Sequence, residues 1–241
     1  MTDIDLGSDL LNFIISEGFE PGDRLPTITE LQADDKLGVS TSKVREQLEV
    51  ARTLGMVDVR SRTGTRLRPF SFTPAVRLSL LYALAQDPNA FTQFSELRTH
   101  IETAFWHEAC AMLEDDDRAV MRACVDRARA MLTGAWIRIP HAEHRTFHLT
   151  VFKRLENPFV IGILEAYWDA YDAVQLNTYA EYSYLQSVWD YHESILDAIC
   201  AGDFDAALAR FIEHTRLLRY QPRVKDMKGE PAPGNDGAAA P

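Results

Sequence analysis

The chain has 241 residues, 46% of them hydrophobic, which suffices for two modest domains with separate cores, and none of its apolar runs is long enough to be expected to cross a membrane. Its polar, acidic start lacks the basic segment of a secretory leader, and its three cysteines, Cys110, Cys124 and Cys200, form no CxxC pair. A cytoplasmic protein with buried thiols is expected, without a disulfide framework or a thiolate zinc site, and the net charge of −11 argues against nucleic acid binding over its whole surface.

In chain order, Leu6, Leu10, Leu11, Phe13 and Ile14 recur at helical spacing and stop at the glycines and proline of 18–22. A second helix begins after Pro26, where Thr27 and Glu30 have the spacing of a capping box, and is expected to end near Gly38. After a short turn Ser40 caps a third helix with Val44, Leu48 and Ala51 on one face, closed by Gly55. Residues 56–61 and 65–68, turning at Thr63 and Gly64, predict a two-stranded hairpin. Three helices and a hairpin make a winged helix-turn-helix over residues 1–69. Residues 70–74 read as a linker. Residues 75–222 are helical throughout, with breaks that predict about seven helices, and the Gly-, Pro- and Ala-rich residues 223–241 read as a disordered tail. The fold expected is therefore mainly α: a winged helix-turn-helix followed by an all-helical bundle.

Charge is unevenly spread. Residues 40–70 hold seven basic side chains against three acidic ones, a local +4, while the remainder carries −15. That is the footprint of a small DNA reader on an acidic body. The third helix presents Thr41, Ser42 and Arg45 where a recognition helix meets base edges and phosphate, and Arg45 has the reach to grip the O6 and N7 of a guanine. Lys43, with Arg62 and Arg66 on the hairpin, suits phosphates or the minor groove, whereas Arg52 and Arg68 read as ordinary solvated charges.

Four histidines form a second pattern. His144 and His148 are four residues apart on one helix face, a chelating spacing. His192 and His214 lie at similar distances on either side of the turn at 201–203, so an antiparallel helix pair brings them to one height. Each alone is as well explained as a core or surface histidine; together they are placed to close on one ion. Phe105, Trp106, Phe147, Phe152, Trp168, Tyr171 and Trp189 read as core, with a pocket lining as the alternative.

The series Pro21-Gly-Asp-Arg-Leu-Pro26, Glu30-Leu31, Leu37-Gly-Val-Ser40, Val44-Arg-Glu-Gln-Leu48, Leu54-Gly-Met-Val57 and the wing glycine Gly64 resembles the signature of the GntR family of regulators. The resemblance implies a homodimer reading a palindromic operator, with Arg45 as a main base contact. Many members carry an arginine at the start of the second helix where this chain has Thr29, so one DNA contact is missing. His144-Arg-Thr-Phe-His148, Leu155-Glu-Asn-Pro158, His192 to Ile199, Gly202-Asp203 and His214 resemble the FadR-type, or FCD, ligand-binding domain. There an Asp and three histidines hold a divalent metal; His148, His192 and His214 match the histidines, and His144 stands at the Asp. Four neutral imidazoles make a softer, more positive site than three and a carboxylate, which favours zinc or nickel as cofactor over manganese or magnesium. Glu143 is a possible additional ligand. Arg98 matches an arginine that holds an effector carboxylate in the family; a surface ion pair with Glu102 is the competing reading.

These residues imply a regulator, expected to be a repressor, that responds to a small organic acid. Two alternatives stand beside it. One is a metal-dependent hydrolase or lyase with Glu143, Glu193 or Glu213 as base, although no HExxH is present and no enzyme needs a basic winged head. The other is a regulator with a purely structural metal.

Overall fold

The computed structural model describes residues 4–33, 35–60, 63–134, 136–174 and 181–217. The expected wing contact Arg62 and the expected disordered tail at 223–241 lie outside the described residues.

Three helices and a hairpin form the first unit: α1 (Asp9–Ser16), α2 (Ile28–Leu31), α3 (Thr41–Thr53), β1 (Val57–Arg60) and β2 (Gly64–Leu67). Each helix begins where a side chain satisfies its first free N–H groups. Ser8 accepts from Leu11, Ser40 accepts from Lys43, and Thr27 and Glu30 close the reciprocal capping box. Leu10, Ile14, Leu31, Val44, Leu48 and Ala51 face inward at helical spacing and build the core of this unit with Leu25 and Val57. The hairpin is antiparallel, with Val57 opposite Leu67 and Arg60 opposite Gly64. Gly22 to Leu25 runs along its outer edge: Gly22 N–H donates to Leu67 O at 2.8 Å, Leu25 N–H donates to Thr65 O at 2.9 Å, and Arg24 bridges Arg66.

The second helix is shorter than its sequence pattern suggests. It ends at Leu31 and gives way to hydrogen-bonded turns, with Lys36 N–H on Ala33 O at 2.9 Å and Gly38 at φ +61°. Asp35 has low helix propensity and an unfavourable charge for a helix C-terminal end, which accounts for the early stop.

Seven helices follow among the described residues: α4 (Thr73–Gln86), α5 (Ala90–Ala111), α6 (Asp115–Thr133), α7 (His141–Phe152), α8 (Pro158–Ala173), α9 (Tyr182–Cys200) and α10 (Phe204–Thr215). The expected linker at 70–74 runs into α4, whose first turn takes Pro74 at a position where a missing N–H costs nothing. Helix α4 packs on α8, α6 on α7 and α9, and α10 on α9 and α5. The main core is built around Trp106, Phe147, Phe152, Leu164, Trp189, Leu196 and Phe211, with Trp106 stacked on Phe211 at 4.6 Å. A smaller cluster of Leu80, Phe91, Tyr167, Trp168 and Tyr171 ties α4 and α5 to α8. Cys110 and Cys124 are buried, but Cys200 is exposed, because it ends α9 on the outer side of the turn into α10.

Candidate functional site

The reading face is set by how α3 is held. Gln47 accepts the Leu10 N–H at 2.7 Å and donates to Asp9 at 2.9 Å, which fixes α3 against the start of α1. With Val44, Leu48 and Ala51 buried, Thr41, Ser42, Lys43 and Arg45 turn outward. Arg45 is exposed and has no ion-pair partner among the described residues. Lys43 lies 2.7 Å from the Asp9 carboxylate, and Arg66 donates to the Gly22 carbonyl at 2.7 Å, so these two are already engaged, although still exposed. Arg52 is paired with Glu49.

One residue of this face has no role in the sequence pattern. Arg24 lies against the wing turn, and Gly64 is left-handed at φ +79° with so little room that an added Cβ would fall 2.9 Å from Arg24 Nε. Glycine is favoured at 64 by its left-handed φ, and its missing Cβ leaves the Arg24 guanidinium room beside the turn. Arg24 is also near enough to Glu30, in the first turn of α2, to help hold that carboxyl below its usual range, after the dominant hydrogen bonds from Thr27. Arg24 therefore lies against the wing turn, within charge range of Glu30 in the first turn of α2. Its only signal in the sequence is the arginine within Pro21 to Pro26, and it is the pairing of Gly22–Leu25 with β2 that brings it to the reading face.

In the helical bundle the four singled-out histidines meet. One ring nitrogen from each of His144, His148, His192 and His214 lies within 4.8 Å of the others. The ring centroids of His144 and His148 are 4.9 Å apart and those of His192 and His214 are 4.4 Å apart, so the one-face and equal-height expectations are both met by the geometry. Trp168, Trp189, Phe147 and Phe211 pack around the rings, burying His148, His192 and His214 and leaving His144 partly exposed. Burial, joined by their mutual repulsion and by Arg98, pushes His144, His148 and His214 well below the ordinary imidazole value, and burial pushes His192 down to about 3. All four are therefore neutral near pH 7, the form in which imidazole is a ligand. Two buried ring nitrogens, His144 Nε2 and His214 Nδ1, have no hydrogen-bond partner. Ring nitrogens converging from four neutral imidazoles, two of the rings with an unpaired nitrogen, fit a borderline-soft divalent cation.

Other acidic candidates do not join this cluster. Glu143 faces α6, 3.3 Å from Arg127; Glu193 pairs with Arg129 at 2.8 Å; and Glu213 is exposed. Glu143 is therefore not an additional ligand, since neighbouring residues of a helix leave it on different faces.

Arg98 is buried at the edge of the cluster, and its ion pair with Glu102 is internal, not on the surface. Its Nη2 donates to Glu102 Oε1 at 3.0 Å and to His148 Nδ1 at 3.0 Å, and the guanidinium lies 4.3 Å from the Tyr167 ring centroid. Arg98 Nε and Glu102 Oε2 are 2.7 Å apart but misaligned, and neither has a hydrogen bond there. Burial raises the Glu102 carboxyl to about 7 against the opposing pull of Arg98. In the sequence Glu102 reads only as a competing surface partner; its burial follows from α5 packing on α8 and α10, which no local pattern reveals.

Between α4 and α5 lies a second concavity of about 560 Å³, lined by Phe72, Val76, Leu80, Phe94, Leu97 and others, none of them a cluster histidine. It is apolar and open, and its chemistry is unrelated to the histidine site.

Comparison with known proteins gives a consistent picture. Residues 5–67 match the family described as bacterial regulatory proteins, gntR family, and residues 93–217 match the FCD domain. The chain is 26% identical over 220 residues to YieP of Escherichia coli K12, covering 84% of this chain and 87% of that protein. It is 24% identical over 216 residues to YcbG of Bacillus subtilis 168, covering 87% and 85%. Both relatives are named as uncharacterized HTH-type transcriptional regulators. Among solved structures, the fold is similar to that of a Streptococcus agalactiae GntR protein, with a TM-score of 0.58, 20% identity, and coverage of 86% of this chain and 94% of that one.

Proposed function

The chain belongs to the GntR family of DNA-binding transcriptional regulators, in the FCD subgroup, and from that premise we propose that a divalent metal held by His144, His148, His192 and His214 is part of its effector site. Its families and named relatives are transcriptional regulators, not enzymes. The observation that carries the proposal is the convergence of four neutral imidazoles, three buried and His144 partly so, with two ring nitrogens unpaired. Zinc or nickel suits an all-imidazole donor set, and a small carboxylate suits the resulting positive site beside Arg98. Effector binding there can change operator affinity only through unequal affinity for two states of the protein.

On the DNA side, Thr41, Ser42 and Arg45 read base edges, while Lys43, Arg66 and the Arg62 expected from the sequence contact the sugar-phosphate backbone near Gly64. Arg24 takes the place of the arginine missing at Thr29. The palindromic operator implies a homodimer. Leu78 and Tyr82 on α4 and Leu97 on α5 are exposed, and a helix apolar on its outward side as well as its inward one calls for a covering surface.

The arrangement of Arg98 favours one further reading. Its guanidinium is already engaged by Glu102, His148 and Tyr167, as would suit a structural metal in a regulator with no carboxylate effector. A palindrome selected from random DNA by the purified protein separates the two. In fluorescence anisotropy, zinc-loaded protein with acetate, lactate or citrate is expected to bind it differently from zinc-loaded protein alone. Identical affinity with every added acid favours the structural metal.

A further inference from the structure

The hydrogen-bond directions within the histidine cluster admit one assignment of protons. A backbone carbonyl only accepts, so His192 Nδ1, 2.6 Å from Val188 O, carries a hydrogen and leaves Nε2 with its lone pair. That Nε2, an acceptor, lies 3.1 Å from His148 Nε2, so the hydrogen between them belongs to His148. His148 Nδ1 is then bare. A guanidinium only donates, and Arg98 Nη2, 3.0 Å away, supplies the matching hydrogen. The two ends of the chain, an obligate acceptor and an obligate donor, thus impose the same tautomer on His148 independently.

This tautomer bears on the metal. An imidazole ligates through a lone pair, and the His148 nitrogen that faces His192 carries a hydrogen instead. Freeing it moves the proton from Nε2 to Nδ1 with no change in the number of protons. An N–H at Nδ1 cannot face a guanidinium N–H, so Arg98 has to turn away from His148. The nearby acceptor is Glu102 Oε1, 3.8 Å from Nδ1. A histidine donating its second nitrogen to a carboxylate is the usual support for metal ligation.

We propose that Arg98 is a latch on the histidine cluster: by donating to His148 Nδ1 it holds His148 in the tautomer that cannot ligate, and Glu102 is the acceptor that supports the alternative. This rests on the metal reading given above. Metal loading and release of Arg98 are then one coupled event, and by reciprocity an anion that draws Arg98 off His148 tightens metal binding. Arg98 acts here as a positioning residue, through His148.

Two measurements test it. Long-range nitrogen–proton NMR of chelator-dialysed wild-type protein is expected to show His148 as the Nε2–H tautomer and His192 as the Nδ1–H tautomer; His148 found as Nδ1–H overturns the ordering without any metal being involved. Calorimetric zinc titration then compares wild type with Arg98→Met/Glu102→Gln, a pair that removes the latch, leaves the net charge unchanged and keeps an acceptor for His148. The double variant is expected to bind zinc about 10-fold more tightly or better. Equal or weaker binding overturns the latch. Uptake by the variant alone supports it most strongly, and uptake by neither protein overturns both the metal reading and the latch, while the tautomer result stands by itself.

Discussion

Arg45 and Lys43 stand two residues apart on one exposed turn, yet their removal is expected to differ in kind. Arg45 has no internal partner among the described residues and is placed to grip a base edge, so Arg45→Ala should cost about 1 to 3 kcal/mol on the preferred palindrome and relax its sequence preference. Lys43→Ala or Arg24→Ala should weaken binding to all sequences alike and lower the slope of log affinity against log salt by roughly one per half-site. Anisotropy over a salt series distinguishes them; an unchanged slope for Arg24→Ala would remove Arg24 from the interface. The histidines carry a pH signature as well. Burial depresses His192 from 6.5 to about 3, so between those values the unfolded chain binds a proton that the folded chain does not. Stability is therefore full above the ordinary histidine range and lost as pH falls through that window, by up to about 1.4 kcal/mol per pH unit from this residue. Urea unfolding of chelator-dialysed protein at pH 7 and pH 5 checks the sign. The positions of Arg45 and the four histidines are legible from helical spacing alone. Arg24 and Glu102 are not, because each reaches its site through long-range packing.

Among the elements, capping chemistry makes the starts of α2 and α3 readable to within a residue, since Thr27 and Ser40 each satisfy a specific free N–H, whereas the apolar spacing from Leu6 runs past the Ser8 cap that starts α1 at Asp9. The end of α2 is harder to read, because it depends on the turns that deliver Gly38 and on α3 packing against Leu31. The close approach of 70–73 to α8 leaves no trace in local pattern either. Gly162 lies mid-helix, where an added Cβ would meet Phe72 Cβ at 2.7 Å and Thr73 N at 2.9 Å. Alanine is the better helix former by about 1 kcal/mol, but overpacking against backbone costs about 1 to 3 kcal/mol. Gly162→Ala is thus expected to lower stability on balance, and an increase in thermal midpoint would show that this contact is looser than its geometry implies.

Two units follow one another in the chain, a winged head and an acidic helical bundle, and the concentration of Lys and Arg in residues 40–70 marks the reading surface within the first. The face that would join two copies in the proposed homodimer is not legible in the same way, since an apolar outward face on α4 resembles core in sequence. Leu78→Glu with Tyr82→Glu is expected to convert a dimer to a monomer by light scattering and to weaken binding to a two-half-site palindrome far more than to a single half-site; a dimer that persists moves the interface elsewhere. The histidine cluster is the feature on which the sensor reading depends, and metal content tests it most directly. Protein purified without a metal-chelating tag and analysed by plasma mass spectrometry is expected to carry about one zinc or nickel per chain, with His148→Ala and His192→Ala carrying background only. Wild-type protein at background after incubation with either metal would contradict a metal-bearing sensor.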